Sequence, residues 1–297
     1  MKTIVIGGAG FIGHHLVKEL LKLNNKVVVI DNLSTGLISN IPENIVFYNK
    51  DISVDSIDNI IDEGDIVFHL AAKARVQPSI ENPVDFDLVN VHGLVKVLTS
   101  CKNKKIKRFI FSSSSSVYGN CTEFPTKETN TTNPISPYAL QKLMGEQYCK
   151  LFSELYGIES VCLRYFNVYG SRQRDKGAYS LVTGIFMRQH ASNQSLTITG
   201  DGEQRRDFIS VDDVVKANVL ASWSEKVGDG ESINIGNGEA ISINKVAKLI
   251  SDDIVYVEKR YEPDITLADI TKAKDLLDWN PQVDFRNWLT KYKDNQN

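Results

Sequence analysis

Cysteine is scarce: four residues in 297, at positions 101, 121, 149 and 162, with no C-x-x-C pair and no histidine at a zinc-ligand spacing. That excludes a disulfide framework and a thiolate metal knuckle, and leaves free thiols in a reducing compartment as the expected state, with no metal. Long apolar runs are missing too. The start, Met-Lys-Thr-Ile-Val-Ile-Gly-Gly, breaks at glycine, too early for a secretion signal or a membrane span, so a soluble, cytoplasmic chain with no membrane partner is expected. Neither sign of charge dominates. Lys plus Arg number 34 against 37 Asp plus Glu, a formal charge of −3, which offers no general attraction to nucleic acid. The basic run Lys102–Arg108 falls where a helical pattern gives way to a strand and reads as a solvated turn. Internal repeats are absent, and the only biased tract is Ser112–Ser116.

What is present is an ordinary globular composition, 42% hydrophobic and 24% charged. The length suits one large α/β unit, or a nucleotide-binding domain with a small second lobe. Short β-branched runs alternate with longer amphipathic stretches, the pattern of βαβ units under a parallel sheet. The expected strands are Thr3–Gly7, Lys26–Asp31, Ile45–Asn49, Ile66–Leu70, Lys107–Ser112 and Ser160–Tyr165. Helices are expected at Phe11–Leu23, Ser53–Ile61, Pro83–Cys101, Pro137–Tyr156 and near Leu181–His190. After Gly170 the pattern turns irregular, which places a lobe boundary near Val168–Gly170. The fold class expected is a Rossmann-like, doubly wound parallel sheet with a smaller C-terminal α/β lobe.

Gly7-Gly8-Ala9-Gly10-Phe11-Ile12-Gly13 follows the first strand and opens the first helix. Glycines there permit a tight turn, let backbone N–H groups approach a pyrophosphate at the positive helix end, and let Gly13 pack against the strand. Asp31 ends the second strand, where its carboxylate can accept bonds from the adenosine ribose hydroxyls and would repel a 2′-phosphate. No Arg or Lys stands among Asn32, Leu33, Ser34, Thr35 and Gly36, so NAD is expected rather than NADP. Asp51 and Ile52, just after the third strand, are placed to hold adenine, although a solvent-facing acidic turn also explains Asp51.

Tyr138 and Lys142 are four residues apart in a helix begun by Ser136-Pro137, so they share a face. At an effective dielectric near 20 and roughly 6 Å, the ammonium favours the phenolate by about 3 kcal/mol, and an oxidised nicotinamide ring would add a second positive charge, together bringing a phenol toward the range of a general base. Ser112 to Ser116 follow an apolar strand at the carboxyl end, where ligands of open α/β sheets bind, and their hydroxyls can bond a substrate oxygen.

With these motifs in order, the chain resembles the extended short-chain dehydrogenase/reductases, in particular the NAD-dependent nucleotide-sugar epimerases and dehydratases. The likeness spans nearly the whole chain. It rests on Gly7–Gly13, Asp31–Gly36, His69-Leu-Ala-Ala-Lys73, Phe111–Gly119, Ser136–Lys142, Leu163–Gly170 and Gly200–Phe208. It implies Ser114 as catalytic hydroxyl, Tyr138 as base and Lys142 on the nicotinamide ribose. It further implies an NAD site lined by Gly7, Gly10, Phe11, Ile12, Gly13, Leu70, Ala71, Ala72, Lys73, Asn90, Ser112 and Phe166. Asn167, Thr197 and Arg206 are implied to face the diphosphate of a UDP-sugar, with Arg75, Leu181 and Val182 in the same pocket. Either Lys259 or Arg260 is the second diphosphate contact, Arg260 first for its bidentate fork. Residues 1–168 are expected to bind NAD, with the chain returning around 207–235, and 169–297 to form most of the substrate lobe.

In that family, 4,6-dehydratases carry Asp-Glu before Val-Tyr-Gly, and decarboxylases carry Glu; here Ser115 and Ser116 stand there. The resemblance therefore implies C4 epimerisation through a transient 4-keto sugar. The alternatives are a dehydratase or decarboxylase, or a silent NAD-binding regulatory protein. In related epimerases the residue two places before the late Ala-Asp gates the space beside the sugar C2, so the small Thr266 before Leu267-Ala268-Asp269 implies room there, and Ser171-Arg-Gln and Gly177-Ala-Tyr179 also resemble the acetamido-sugar enzymes. UDP-N-acetylglucosamine is expected, with UDP-glucose accepted, although Arg75 replaces the small polar residue of those enzymes. Relatives pair the helices at Pro83–Cys101 and Pro137–Tyr156 in a four-helix interface, so a homodimer is expected.

Overall fold

A computed structural model describes residues 1–173, 182–259 and 262–294. In chain order the strands are β1 Lys2–Ile6, β2 Lys26–Asp31, β3 Val46–Asn49, β4 Ile66–His69, β5 Arg108–Ser114, β6 Ser160–Tyr165, β7 Asn167–Tyr169, β8 Leu196–Thr199, β9 Arg205–Ser210, β10 Asp229–Ile235, β11 Ala240–Ser242 and β12 Ile254–Val257. The helices are α1 Phe11–Lys22, α2 Val76–Glu81, α3 Pro83–Asp87, α4 Leu94–Lys104, α5 Pro137–Tyr156, α6 Val182–Ala191, α7 Val211–Trp223, α8 Ile243–Ile250, α9 Thr271–Leu277 and α10 Phe285–Asp294.

Seven strands form one sheet in the order β10-β6-β5-β4-β1-β2-β3, every pair parallel. Side-chain alternation divides each strand between two cores. Val5 and Val29 face Leu16, Val17 and Leu20 of α1 together with Val214 and Ala217 of α7. Ile4, Ile6 and Phe111 face Leu94, Val97 and Leu98 of α4 and Phe152 of α5. This is the doubly wound arrangement read from the sequence. The order reverses between β1 and β4, so a crevice opens where the Gly7 turn and the Leu70–Lys73 segment leave adjacent strands.

Local chemistry fixes the helix that matters most. Ser136 caps α5 by accepting the Ala139 N–H at 3.2 Å, Pro137 opens it, and Gly157 ends it at φ 67°. A third core, containing Phe186, Phe208, Ile241, Val246 and Phe285, joins α6, α8 and α10 to β9 and β11. β9 is central in a sheet with β7 and antiparallel β11, while β8 and β12 pair separately. Among the described residues no helix is long and apolar enough to cross a membrane.

Two expected helices differ. Ser53–Ile61 is a series of turns, because Asp51 accepts the Ser53 N–H at 2.8 Å and Ser56 Oγ donates to Asp58 at 2.9 Å, local bonds that compete with helix formation. Pro83–Cys101 is not one regular helix. Between α3 and α4 a π-turn, Leu88–Gly93, widens the spiral and turns Asn90 toward Lys73.

Candidate active site

The crevice begins with sterics. A Cβ on Gly7, which sits at φ 86°, would lie 2.6 Å from the Ala71 nitrogen, and one on Gly13 would lie 2.1 Å from the Gly7 oxygen. The turn thus packs directly on the Leu70–Ala72 segment. Gly10 caps α1 with no side chain, so among the described residues the helix start at Phe11 and Ile12 has no side-chain cap. Asp31, buried, accepts the Ala9 N–H at 3.0 Å and the Leu33 N–H at 2.8 Å, and desolvation raises its carboxyl pKa. The same carboxylate expected on the ribose therefore also braces the glycine turn. Gly36 lies against Ala9, where a Cβ would stand 2.7 Å from the Ala9 Cβ. Asn32 donates to Asp51 at 2.8 Å and accepts the Ser34 N–H, and Ile52 beside them is buried. These residues fit a dinucleotide: an uncapped helix start, a glycine turn too tight for side chains, and a carboxylate at the end of β2.

Lys73 is clamped by Asn90, whose Oδ1 accepts the Lys73 N–H and whose Nδ2 donates to the Lys73 carbonyl, both at 2.9 Å. The Lys73 ammonium pairs with Asp85. Asn90 also donates to Gln141 of α5 at 2.9 Å, a contact that no sequence signal marked. Across the sheet, Ser112 Oγ shares a 3.1 Å hydrogen bond with Tyr165 Oη, and Phe166 is buried beside it.

Ser114, Tyr138 and Lys142 come together at the carboxyl end of β5. Ser114 and Tyr138 are joined side chain to side chain. Ser116 donates its N–H at 3.2 Å and its hydroxyl at 2.9 Å to Ser114 Oγ, and Ser79 Oγ of α2 accepts the Tyr138 N–H at 3.1 Å. Lys142 Nζ donates to the Ser112 carbonyl at 2.7 Å and stands 6.0 Å from the centre of the Tyr138 ring.

Burial adds an effect on both groups that the four-residue spacing does not carry. Burial pushes the Tyr138 phenol above its ordinary value, opposed by the Ser114 hydrogen bond and the Arg75 charge. Burial also lowers Lys142 to about 8, with Cys149 and Glu146 opposing. The Lys142 ammonium lies 4.9 Å from the centre of the Phe111 ring and is buried. Arg75 holds a backbone at φ 123°, ψ 141°, a conformation few non-glycine residues adopt.

On the other side of the crevice, Asn167 Nδ2 donates to the Asp207 carbonyl at 2.9 Å and to Thr266 Oγ1 at 3.2 Å. Arg206 donates to Glu262 at 2.7 Å, so a carboxylate occupies the guanidinium expected to face a diphosphate. Thr197 is held by Gln189 of α6, which donates to its Oγ1 at 2.9 Å. Val182 opens α6. Lys259 pairs with Asp264 at 3.0 Å. Leu181, Arg260 and Gly177–Tyr179 lie outside the described residues. A cleft of about 750 Å³ lies between Asn120–Phe124 and the segment with Lys259 and Glu262–Ile265, next to Arg206. Among the described residues no group of three or more His, Cys, Asp or Glu is arranged to hold a metal ion.

A parallel sheet of this order, with a glycine turn at its switch point and a Ser-Tyr-Lys cluster beside it, defines a dinucleotide-binding α/β enzyme class. The chain belongs to the NAD dependent epimerase/dehydratase family, whose family model matches residues 3–236. It is 39% identical to a putative UDP-glucose 4-epimerase of Methanocaldococcus jannaschii, over 97% of this chain and 96% of that one. The UDP-N-acetylglucosamine 4-epimerase from Methanobrevibacter ruminantium M1, solved with UDP-N-acetylmuramic acid, superposes with a TM-score of 0.93 at 39% identity, covering 99% and 97% of the two chains. The UDP-glucose 4-epimerase of Thermus thermophilus, solved with NAD, gives 0.91 at 30% identity over 100% and 99%. The chain is thus UDP-sugar 4-epimerase-like, and its cofactor is NAD.

Proposed function

We propose that the protein epimerises a UDP-sugar at C4, taking UDP-N-acetylglucosamine and accepting UDP-glucose. The observation that carries this reading is the cluster itself: Ser114, Tyr138 and Lys142 converge with no acid at positions 115 and 116. Elimination of water calls for a further acid and base, whereas reversible oxidation needs one proton-transfer group. Ser116, where a related dehydratase or decarboxylase carries an acid, is spent on capping Ser114.

NAD, held by the Gly7–Gly13 turn, Asp31, the Leu70–Lys73 segment and Lys142, supplies reversible acceptance of the C4 hydride. Tyr138 takes the proton of the sugar 4-hydroxyl and gives it back. Ser114 Oγ bridges the phenol and the sugar oxygen. Burial favours the protonated phenol, so returning the proton is the easy direction; the Ser114 bond and the Arg75 charge assist its removal. Asn167 and Arg206 hold the diphosphate, which lets the sugar end turn between its two faces while the nucleotide stays put. For Arg206 this means exchanging the Glu262 carboxylate for a phosphate oxygen. The small side chain of Thr266, at the position that gates the space beside C2 in related epimerases, supports an acetamido group there. In this reading residues 169–297 provide most of the substrate lobe.

The test is interconversion of UDP-GlcNAc with UDP-GalNAc, and of UDP-glucose with UDP-galactose, followed by NMR with NAD saturating. Failure on every pair refutes the assignment. A silent NAD-binding protein is separated by single-turnover reduction of bound NAD near 340 nm, a signal that Tyr138→Phe abolishes. We also propose a homodimer through α3–α4 and α5. Val84 at 73% exposure and Leu155 at 61%, with Leu88, Leu140 and Leu151, support an apolar face there that a second copy covers. Sedimentation at micromolar concentration giving only monomer overturns it.

A further inference from the structure

The helix that carries Tyr138 and Lys142 is fastened to the sheet by one carboxylate. Glu146 lies one turn beyond Lys142 and two beyond Tyr138, on the same side of α5. Its side chain is 5% exposed and that of Arg164 is 6% exposed. Arg164 grips it with two prongs, Nε donating to Oε1 at 2.9 Å and Nη2 to Oε2 at 2.7 Å. Ser113 Oγ donates to Oε1, and Ser232 Oγ donates to Oε2 at 2.9 Å. One side chain of α5 thereby reaches β5, β6 and β10.

The remaining Arg164 nitrogen, Nη1, donates to Tyr118 Oη at 2.8 Å, and that hydroxyl donates to Asn234 Oδ1 at 2.7 Å. Tyr118 belongs to the short turn that follows Ser114, so Ser113 and Tyr118, on either side of Ser114, are both anchored by one ion pair. Gly145 lets the helix come close enough: a Cβ there would stand 2.4 Å from Phe111 Cζ.

Set in sequence, three consecutive strand residues engage three helix residues spaced by four. The Ser112 carbonyl takes Lys142, Ser113 gives to Glu146, and Ser114 bonds Tyr138. Stability alone does not call for the ionic rung, since replacing a buried pair by packed apolar groups is often neutral or stabilising. We propose that Glu146, seated by Arg164, is a positioning residue that sets the register of α5 against β5. It thereby fixes the distances among the Ser114 hydroxyl, the Tyr138 phenol and the Lys142 ammonium. The inference rests on the roles given to those three groups above.

The perturbation is Glu146→Gln, which keeps the shape but weakens the grip of Arg164. A displacement near 1 Å costs on the order of 100-fold in rate, so kcat is expected to fall about 10- to 100-fold with KM for the UDP-sugar within about threefold. The double variant Glu146→Leu/Arg164→Met replaces the pair by apolar groups; it is expected to regain the parent melting temperature but not the parent kcat. NAD affinity, measured by calorimetry on the cofactor-free proteins, is expected to weaken in both. A kcat within twofold of the parent in either folded variant overturns the proposal. If the parent turns over no UDP-sugar yet the variants bind NAD more weakly, the positioning role stands and the epimerase reading falls.

Discussion

His69 ends the fourth strand of the sheet with 1% of its surface exposed. Its ring lies 5.9 Å from Phe109 and 6.0 Å from Phe111, both near parallel, and its Nδ1 has no hydrogen-bond partner among the described residues. Burial, reinforced by the Lys142 charge, pushes its pKa down from 6.5 to about 3. The folded protein therefore keeps this imidazole neutral while the unfolded chain protonates it below pH 6.5. Between pH 6.5 and 3 the unfolded state binds the extra proton, so stability is lost as the pH falls through that window. At about 1.36 kcal/mol per pH unit the full loss is about 5 kcal/mol, and about 2 kcal/mol of it is felt by pH 5. The assay is urea unfolding at pH 7.5 and pH 5.0 for the parent, His69→Phe and the smaller non-titrating His69→Gln. The parent is expected to lose about 2 kcal/mol more between the two conditions than either variant. His14, also buried and also lowered to about 4, cancels because all three proteins contain it. Equal losses in parent and variants would refute the reasoning.

Three further outcomes follow from the same contacts. Gly13→Ala forces a Cβ to within 2.1 Å of the Gly7 oxygen, so the first helix must back away from the turn; NAD affinity measured by calorimetry should fall at least about tenfold and stability by about 1–3 kcal/mol. Thr266→Tyr fills the space beside Asn167, and kcat/KM for UDP-GlcNAc should drop at least about tenfold while that for UDP-glucose is retained, a preference read from parallel assays. Lys142, lowered to about 8 by burial, is charged below that pH and neutral above it, so NAD binding to the cofactor-free protein should weaken from pH 7 to pH 9.

Much of the architecture was legible in the residues because its causes are local. β2 and β6 have the bounds expected of them, and α5 runs from its Ser136-Pro137 start to its Gly157 stop. β5 runs two residues past its expected end at Ser112, since Ser113 and Ser114 remain extended to meet α5, a partner the alternation of hydrophobic and polar residues does not reveal. Ser53–Ile61 has a helical spread of isoleucines but is turned by Asp and Ser side chains bonding their own backbone. The glycine cradle was readable because its demand is steric and lies within seven residues. The engagement of Arg206 by Glu262 spans 56 residues, and the reach of Ser232 to Glu146 spans 86; no spacing rule connects them. The four-residue interval between Tyr138 and Lys142 was visible, but not how burial raises the one and lowers the other, which depends on Phe111 and the sheet behind them.

The last strand to join the central sheet, Asp229–Ile235, is synthesised after α6, β8 and β9. Until residue 235 has left the ribosome, Ser160–Tyr165, buried along its whole length in the finished protein, is a bare sheet edge. Such an edge invites pairing with other chains, and the closure that hides it spans about seventy residues and is slow. A fragment cut near Val168 would carry the complete glycine turn and all three residues of the Ser-Tyr-Lys cluster. It would nonetheless lack the strand that covers this edge, and with it the Ser232 hydroxyl that helps hold Glu146. The sheet that carries the glycine turn is therefore completed by chain that arrives late.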